Sequence, residues 1–271
     1  MADKSGGVLR AWGVSEKGAV RPTNQDRFAI DEDLRLCVIA DGMGGHNAGE
    51  IAAHTAVDAV FGVVRHRQRA RHANAAAALG TPLGCPFGVD PSLSDPGNLI
   101  RTAIYLANVQ VLEQAGRSSA FAGMGTTIVA ALVVDGRLSV GHVGDSRLYR
   151  LAGGRLRQLT GDDSWMAGVM ANDPRTNVGL LEHHPMRHVL TNVVGSRHGP
   201  NVHVIEEPLT AGDRLLLTTD GVHGVLDERC LERLVAEPDD LALAASEVVR
   251  AALARGSRDN CTAVVAQYRG D

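Results

Sequence analysis

The chain is predicted to fold as a layered α+β domain, and three observations lead there. Runs rich in β-branched and apolar residues recur at 35–40, 127–134, 138–143, 147–151, 213–218 and 262–268, as expected of buried strands. Hairpin dipeptides join some of them: Asp135-Gly136 in VVDGRL and Gly153-Gly154 in LAGGRL suit the positive backbone angles of tight antiparallel turns. Apolar residues also recur at helical spacing in three stretches on either side of the strand-rich middle. Strands and helices do not alternate strictly, so helices should cover antiparallel strands.

In chain order, LCVIADGMGGHNAGE (36–50) starts as a buried strand, stops on Asp41 and then places glycine at three of the next four positions. The first helix follows, with Ile51, Thr55, Ala59 and Val63 on one face, and the basic RHRQRARH (65–72) reads as its solvated end, where cations oppose the helix dipole. Residues 67–97, Ala-rich and then Pro/Gly-rich, show no period and read as a surface insertion. Ile100, Ala103, Ile104, Ala107 and Val111 mark the second helix. The strands of 127–151 read as a meander, and 161–186, mixing acids, His and Gly, as a flap-like excursion. Leu241, Ala244, Ala245, Val248, Val249 and Ala252 form the third helix, with Gly256 as its C-cap. All of 1–271 is read as one domain without internal repeats.

Composition narrows the function. A net charge of −4 without a basic block excludes nucleic acid and membrane surfaces as partners, because both need clustered positive charge. No apolar run reaches the roughly 18 residues of a membrane span, and MADKSGGVLRAW lacks a signal-peptide pattern, so a cytoplasmic protein is expected. Cys37, Cys85, Cys230 and Cys261 are scattered, which suits free thiols in a reducing compartment. A phosphate-binding GK[ST] and a GxSxG elbow are both missing, and His184 and His188 flank Pro185 without a third zinc ligand.

The informative residues are acids at turns beside strands: RPTNQD (21–26), ADGMGG (40–45), VGDSR (143–147), TTDG (218–221) and SRDN (257–260). Any one of them could be an ordinary Asp turn. Together, a folded sheet could gather Asp41, Asp220 and Asp259 at one edge, where their mutual repulsion calls for a cation. Every candidate ligand is an oxygen, so Mg²⁺ or Mn²⁺ is favoured over zinc, and phosphate chemistry with it.

In this order the motifs resemble the metal-dependent protein serine/threonine phosphatases of type 2C, the PPM family, in its bacterial form. The resemblance runs from about residue 11 to 268. It implies a four-layer α/β/β/α sandwich with two central antiparallel sheets flanked by helices. It implies that Asp41 bridges two metal ions, that the Gly42 carbonyl binds one of them, and that Asp220 and Asp259 complete the centre. Asp26 would hold a metal-bound water, Asp145 would help hold a third ion, and Arg21 would grip the substrate phosphate. The implied reaction is hydrolysis of phosphoserine or phosphothreonine in proteins by a two-metal activated water, with phosphoprotein substrates and a serine/threonine kinase as partners. Met43 stands where eukaryotic members often have a histidine, which leaves His46 or a water to protonate the leaving group. Gln25 stands where an acid is often found. The alternative is a non-catalytic phosphatase-like binding module, in which metal acids should be lost.

Overall fold

The computed structural model describes residues 7–45, 47–72, 87–173, 175–176, 179, 181 and 184–270; His46, Cys85 and the middle of the expected insertion, 73–86, lie outside them. The strands are β1 (Val8–Glu16), β2 (Asp26–Asp31), β3 (Leu36–Met43), β4 (Gly125–Thr126), β5 (Ile128–Val134), β6 (Arg137–Val143), β7 (Arg147–Ala152), β8 (Arg155–Gln158), β9 (His203–Pro208), β10 (Arg214–Thr218) and β11 (Cys261–Arg269). The helices are α1 (Ala48–His72), α2 (Asp95–Ala115), α3 (Trp165–Asn172), α4 (Asp220–His223), α5 (Glu228–Ala236) and α6 (Leu241–Ala254).

Two antiparallel sheets form the centre. One runs β1-β11-β10-β7-β8, the other β2-β3-β5-β6-β9 with β4 on β3. The strand alternation builds three cores at once. Leu36, Val38, Ala40, Ile128, Ala130 and Leu132 face α1 and α2, whereas their neighbours Cys37, Ile39, Val129, Ala131 and Val133 meet Leu215, Leu217 and Val264 between the sheets. On the far side Leu216, Ala263 and Val265 pack under Leu231 and Val235 of α5 and Ala244, Val248 and Ala252 of α6. These strands are covered on both faces, so they read as nearly continuous apolar runs. Each large side chain buried there is worth about 1.5–3 kcal/mol. The four-layer expectation is met.

Both predicted hairpins are present, with φ of +49° and +70° at Asp135-Gly136 and +56° and +79° at Gly153-Gly154. The single meander is not. β5 and β6 pair in one sheet and β7 and β8 in the other, so the chain changes sheets at Gly144, where φ is +97°. Hairpin signals set local pairing but carry no information about which sheet a hairpin joins. Helix α6 ends as predicted: Gly256 takes a φ of +83°, and Ser257 N–H reaches the Ala252 carbonyl at 3.1 Å.

Both ends of the expected insertion are helical. Residues 67–72 continue α1, and 95–97 begin α2 behind Ser94, whose hydroxyl accepts from Gly97 N–H at 3.2 Å. The segment 161–186 is also more regular than expected, because Ser164 caps α3 by accepting from Ala167 N–H. Among the described residues, Cys37, Cys230 and Cys261 are free thiols, and no helix is long and apolar enough to cross a membrane.

Candidate active site

Two glycines explain why acids stand where these strands end. Asp26 and Asp41 pair across β2 and β3, and the next residue, Gly42, lies directly under the first turn of α1. A Cβ on Gly42 would sit 2.0 Å from the Gly49 carbonyl oxygen, so no side chain fits. At the other sheet, a Cβ on Gly221 would sit 1.9 Å from the Asn260 carbonyl oxygen. That contact seats the start of α4, which carries Asp220, on the turn that carries Asp259.

The result is a cluster centred on Asp41, whose carboxyl feels the charges of Asp26, Asp220, Asp145 and Asp259. Burial first, and these neighbours second, raise the Asp41 pKa well above the ordinary carboxylate range. Burial likewise pushes Asp145 up to about 7, with Asp220 and Asp162 adding to it. Asp26 also rises to about 7 through burial, although its Oδ2 accepts from Thr262 at 2.6 Å and Thr219 at 2.8 Å. Asp220 is raised by burial and by Asp259, and approaches Asp41 closely enough to share a proton.

Among the described residues, Asp26 Oδ1 and Asp220 Oδ1 are buried without a hydrogen-bond partner. Orphaned carboxylate oxygens in a cluster of like charge fit a divalent cation. The cage is not closed: no three acidic or imidazole groups among the described residues form a complete metal site, and Asp259 Oδ2 bonds Arg21 at 2.5 Å instead.

Arg21 projects from the loop before β2, half exposed, beside a cavity of about 370 Å³ lined by Pro22, Thr23, Gln25, Gly44, Asn47 and Asn260. Its guanidinium feels the charges of Asp259, Asp41 and Asp220. Asp145 follows the sheet-changing Gly144. Asp163 grips that glycine twice: its N–H donates to the Gly144 carbonyl at 3.0 Å and its Oδ2 accepts Gly144 N–H at 2.9 Å.

Sequence reasoning therefore located Arg21, Asp26, Asp41, Gly42, Asp145, Asp220 and Asp259 in one region, while His46 is outside the described residues. It missed the hydroxyls that orient them. Thr127 Oγ1 accepts Asp41 N–H at 2.9 Å and bonds Ser146 at 2.7 Å, while Thr219 and Thr262 hold Asp26. It also missed His223, which burial keeps neutral beside Thr218. Adjacency to the motif acids, in GDSR, TTDG and DNCT, could have pointed to Ser146, Thr219, Thr262 and His223, while Thr127 carries no such signal.

The protein phosphatase 2C family profile matches residues 21–256. The chain belongs to the protein phosphatase 2C family. The matched span takes in Arg21 and four of the five acids, and Asp259 lies just past its end. This protein phosphatase 2C chain is 32% identical over 265 residues to serine/threonine protein phosphatase PstP of Mycobacterium tuberculosis, covering 96% of the chain and 45% of that relative. It thus spans about half the relative's length. The crystal structure of the M. tuberculosis phosphatase PstP/Ppp superposes with a TM-score of 0.80 at 28% identity, covering 97% of this chain and 99% of that one. A structure of the PstP catalytic domain in complex with two manganese ions gives 0.76 at 29% identity, with the same coverage of both chains.

Proposed function

We propose that this chain is a metal-dependent hydrolase that removes phosphate from phosphoserine and phosphothreonine in proteins. Asp41, the Gly42 carbonyl, Asp220 and Asp259 would hold two Mg²⁺ or Mn²⁺ ions, Asp145 would contribute to a third, and Asp26 would act through water. The observation that carries the reading is the convergence of four acids on Asp41, two of them with orphaned buried oxygens and a third, Asp259, bonded to Arg21. When bound, such cations supply the Lewis acidity that activates water for in-line attack and offset charge on the phosphoryl oxygens.

The chain's own residues supply the rest. Thr219 and Thr262 fix Asp26 so that its free Oδ1 can accept from the attacking water. Arg21 orients the phosphate dianion, and either His46, five positions after Asp41 in the sequence, or a water would protonate the leaving alkoxide. A non-catalytic binding module is disfavoured because Asp26, Asp41, Asp145, Asp220 and Asp259 are all retained. We read 1–271 as one catalytic domain working in the cytoplasm and opposing a serine/threonine kinase.

The test is phosphate release from a phosphothreonine peptide. It should be lost in excess chelator and return with Mn²⁺ or Mg²⁺; full activity in chelator would overturn the reading. Arg21→Ala should raise KM or lower kcat/KM on a phosphopeptide by about tenfold or more while Mn²⁺ affinity stays within about threefold, because a phosphate clamp is lost and no metal ligand with it. Unchanged kinetics would assign the phosphate to another group.

A further inference from the structure

One buried side chain organises the loop that presents Arg21, and nothing in the proposed chemistry uses it. Asn260 is 5% exposed, and both ends of its amide are engaged. Its Nδ2 donates to the Lys17 and Thr23 carbonyls, each at 2.9 Å, and its Oδ1 accepts Gln25 N–H at 2.9 Å. These three anchors bracket Arg21 on both sides. The same residue's backbone N–H donates to Asp259 Oδ1 at 2.8 Å, and the carbonyl of Asp259 lies 2.6 Å from where a Cβ on Gly18 would be. The loop is therefore laid against the turn carrying Asp259, with one amide as the fastening.

Resting on the phosphatase reading above, we propose that Asn260 is a positioning residue for substrate: it holds the 17–25 loop so that Arg21 reaches the phosphate. Backbone carbonyls need a donor and a backbone N–H needs an acceptor, so only a carboxamide satisfies all three anchors from one position. Aspartate keeps the acceptor and loses both donors. Asn260 acts through Arg21, and its removal affects phosphate engagement before metal binding.

The experiment compares Asn260→Asp and Asn260→Ala with the parent protein and with Arg21→Ala, reading phosphopeptide kinetics, inhibition by inorganic phosphate, and Mn²⁺ affinity by calorimetry. Both variants should raise KM and weaken inhibition by phosphate about fivefold or more, with Mn²⁺ Kd within about threefold. Added to Arg21→Ala, either should change kcat/KM less than about twofold, since coupled residues are non-additive. Full multiplicative losses on the Arg21→Ala background, or Mn²⁺ affinity falling as far as phosphate affinity, would overturn the proposal. So would failure of both variants to fold, which would make Asn260 a general support. If the parent protein shows no metal-dependent phosphate release, the phosphatase reading fails instead, before any variant is compared.

Discussion

Asp220→Asn and Asp259→Asn each lower metal-dependent turnover by at least about 100-fold in the expected outcome, because each removes ligand charge from the centre that activates water. Asparagine is nearly isosteric with aspartate, so the contacts that seat α4 against the Asn260 turn survive. Asp220 Oδ1 has no hydrogen-bond partner, so the substitution breaks no bond at that atom and relieves repulsion from Asp259. Activity should therefore collapse while the metal-free fold is retained. Asp26→Asn should be milder, at about 10- to 100-fold, the loss typical when a group acts on a metal through an intermediary. Steady-state hydrolysis of an aryl phosphate, with thermal melts of each stripped variant, separates the cases. Equal and mild losses at all the acids would point to a structural role for the cluster.

Stripping the metal should also reverse the usual pH dependence of an acidic cluster. Burial, the largest cause, holds Asp26 and Asp145 at about 7, and Asp41 and Asp220 are raised as well. In the unfolded chain these groups ionise near their ordinary value of about 3.9. Between the two values the native state binds more protons than the unfolded state, so stability falls as pH rises from about 4 to about 7 and is lowest above it. The stripped protein is expected to melt at least about 4 °C lower at pH 8 than at pH 5, roughly 1–2 kcal/mol for a domain of this size. Mn²⁺ should raise the melting temperature more at pH 8, where it displaces fewer protons. A stripped protein that is as stable at pH 8 as at pH 5 would show that the acids are neutralised by other groups.

Much of the site was legible because its signals are local. Asp41-Gly42 and Asp220-Gly221 each announce an acid beside a backbone position with no room for a side chain, and the steric reason is visible only once Gly49 and Asn260 face them. Amphipathic spacing found α1, α2 and α6, but the short β4, β8 and α4 fall below the length at which a period can be counted. α5 was missed although Asp227 caps it and Leu231 and Val235 bury one side. β1, β2 and β9 were missed for a different reason: they are edge strands with intermediate or exposed positions and carry weaker apolar runs.

By itself the sequence determined the turns, the helix periods, the oxygen-only donor set and the glycines that end strands at acids, since each depends on a few adjacent residues and their φ/ψ freedom. Tertiary structure alone decided that the chain changes sheets at Gly144. It also decided that Thr219 and Thr262 reach Asp26 across 193 and 236 positions, and that Asn260 fastens Lys17 and Thr23 across 243 and 237. Such pairings depend on how two sheets stack and which polar groups their burial leaves to be satisfied. Neighbouring residues carry no record of that, because a buried donor accepts whichever partner the fold brings within about 3 Å.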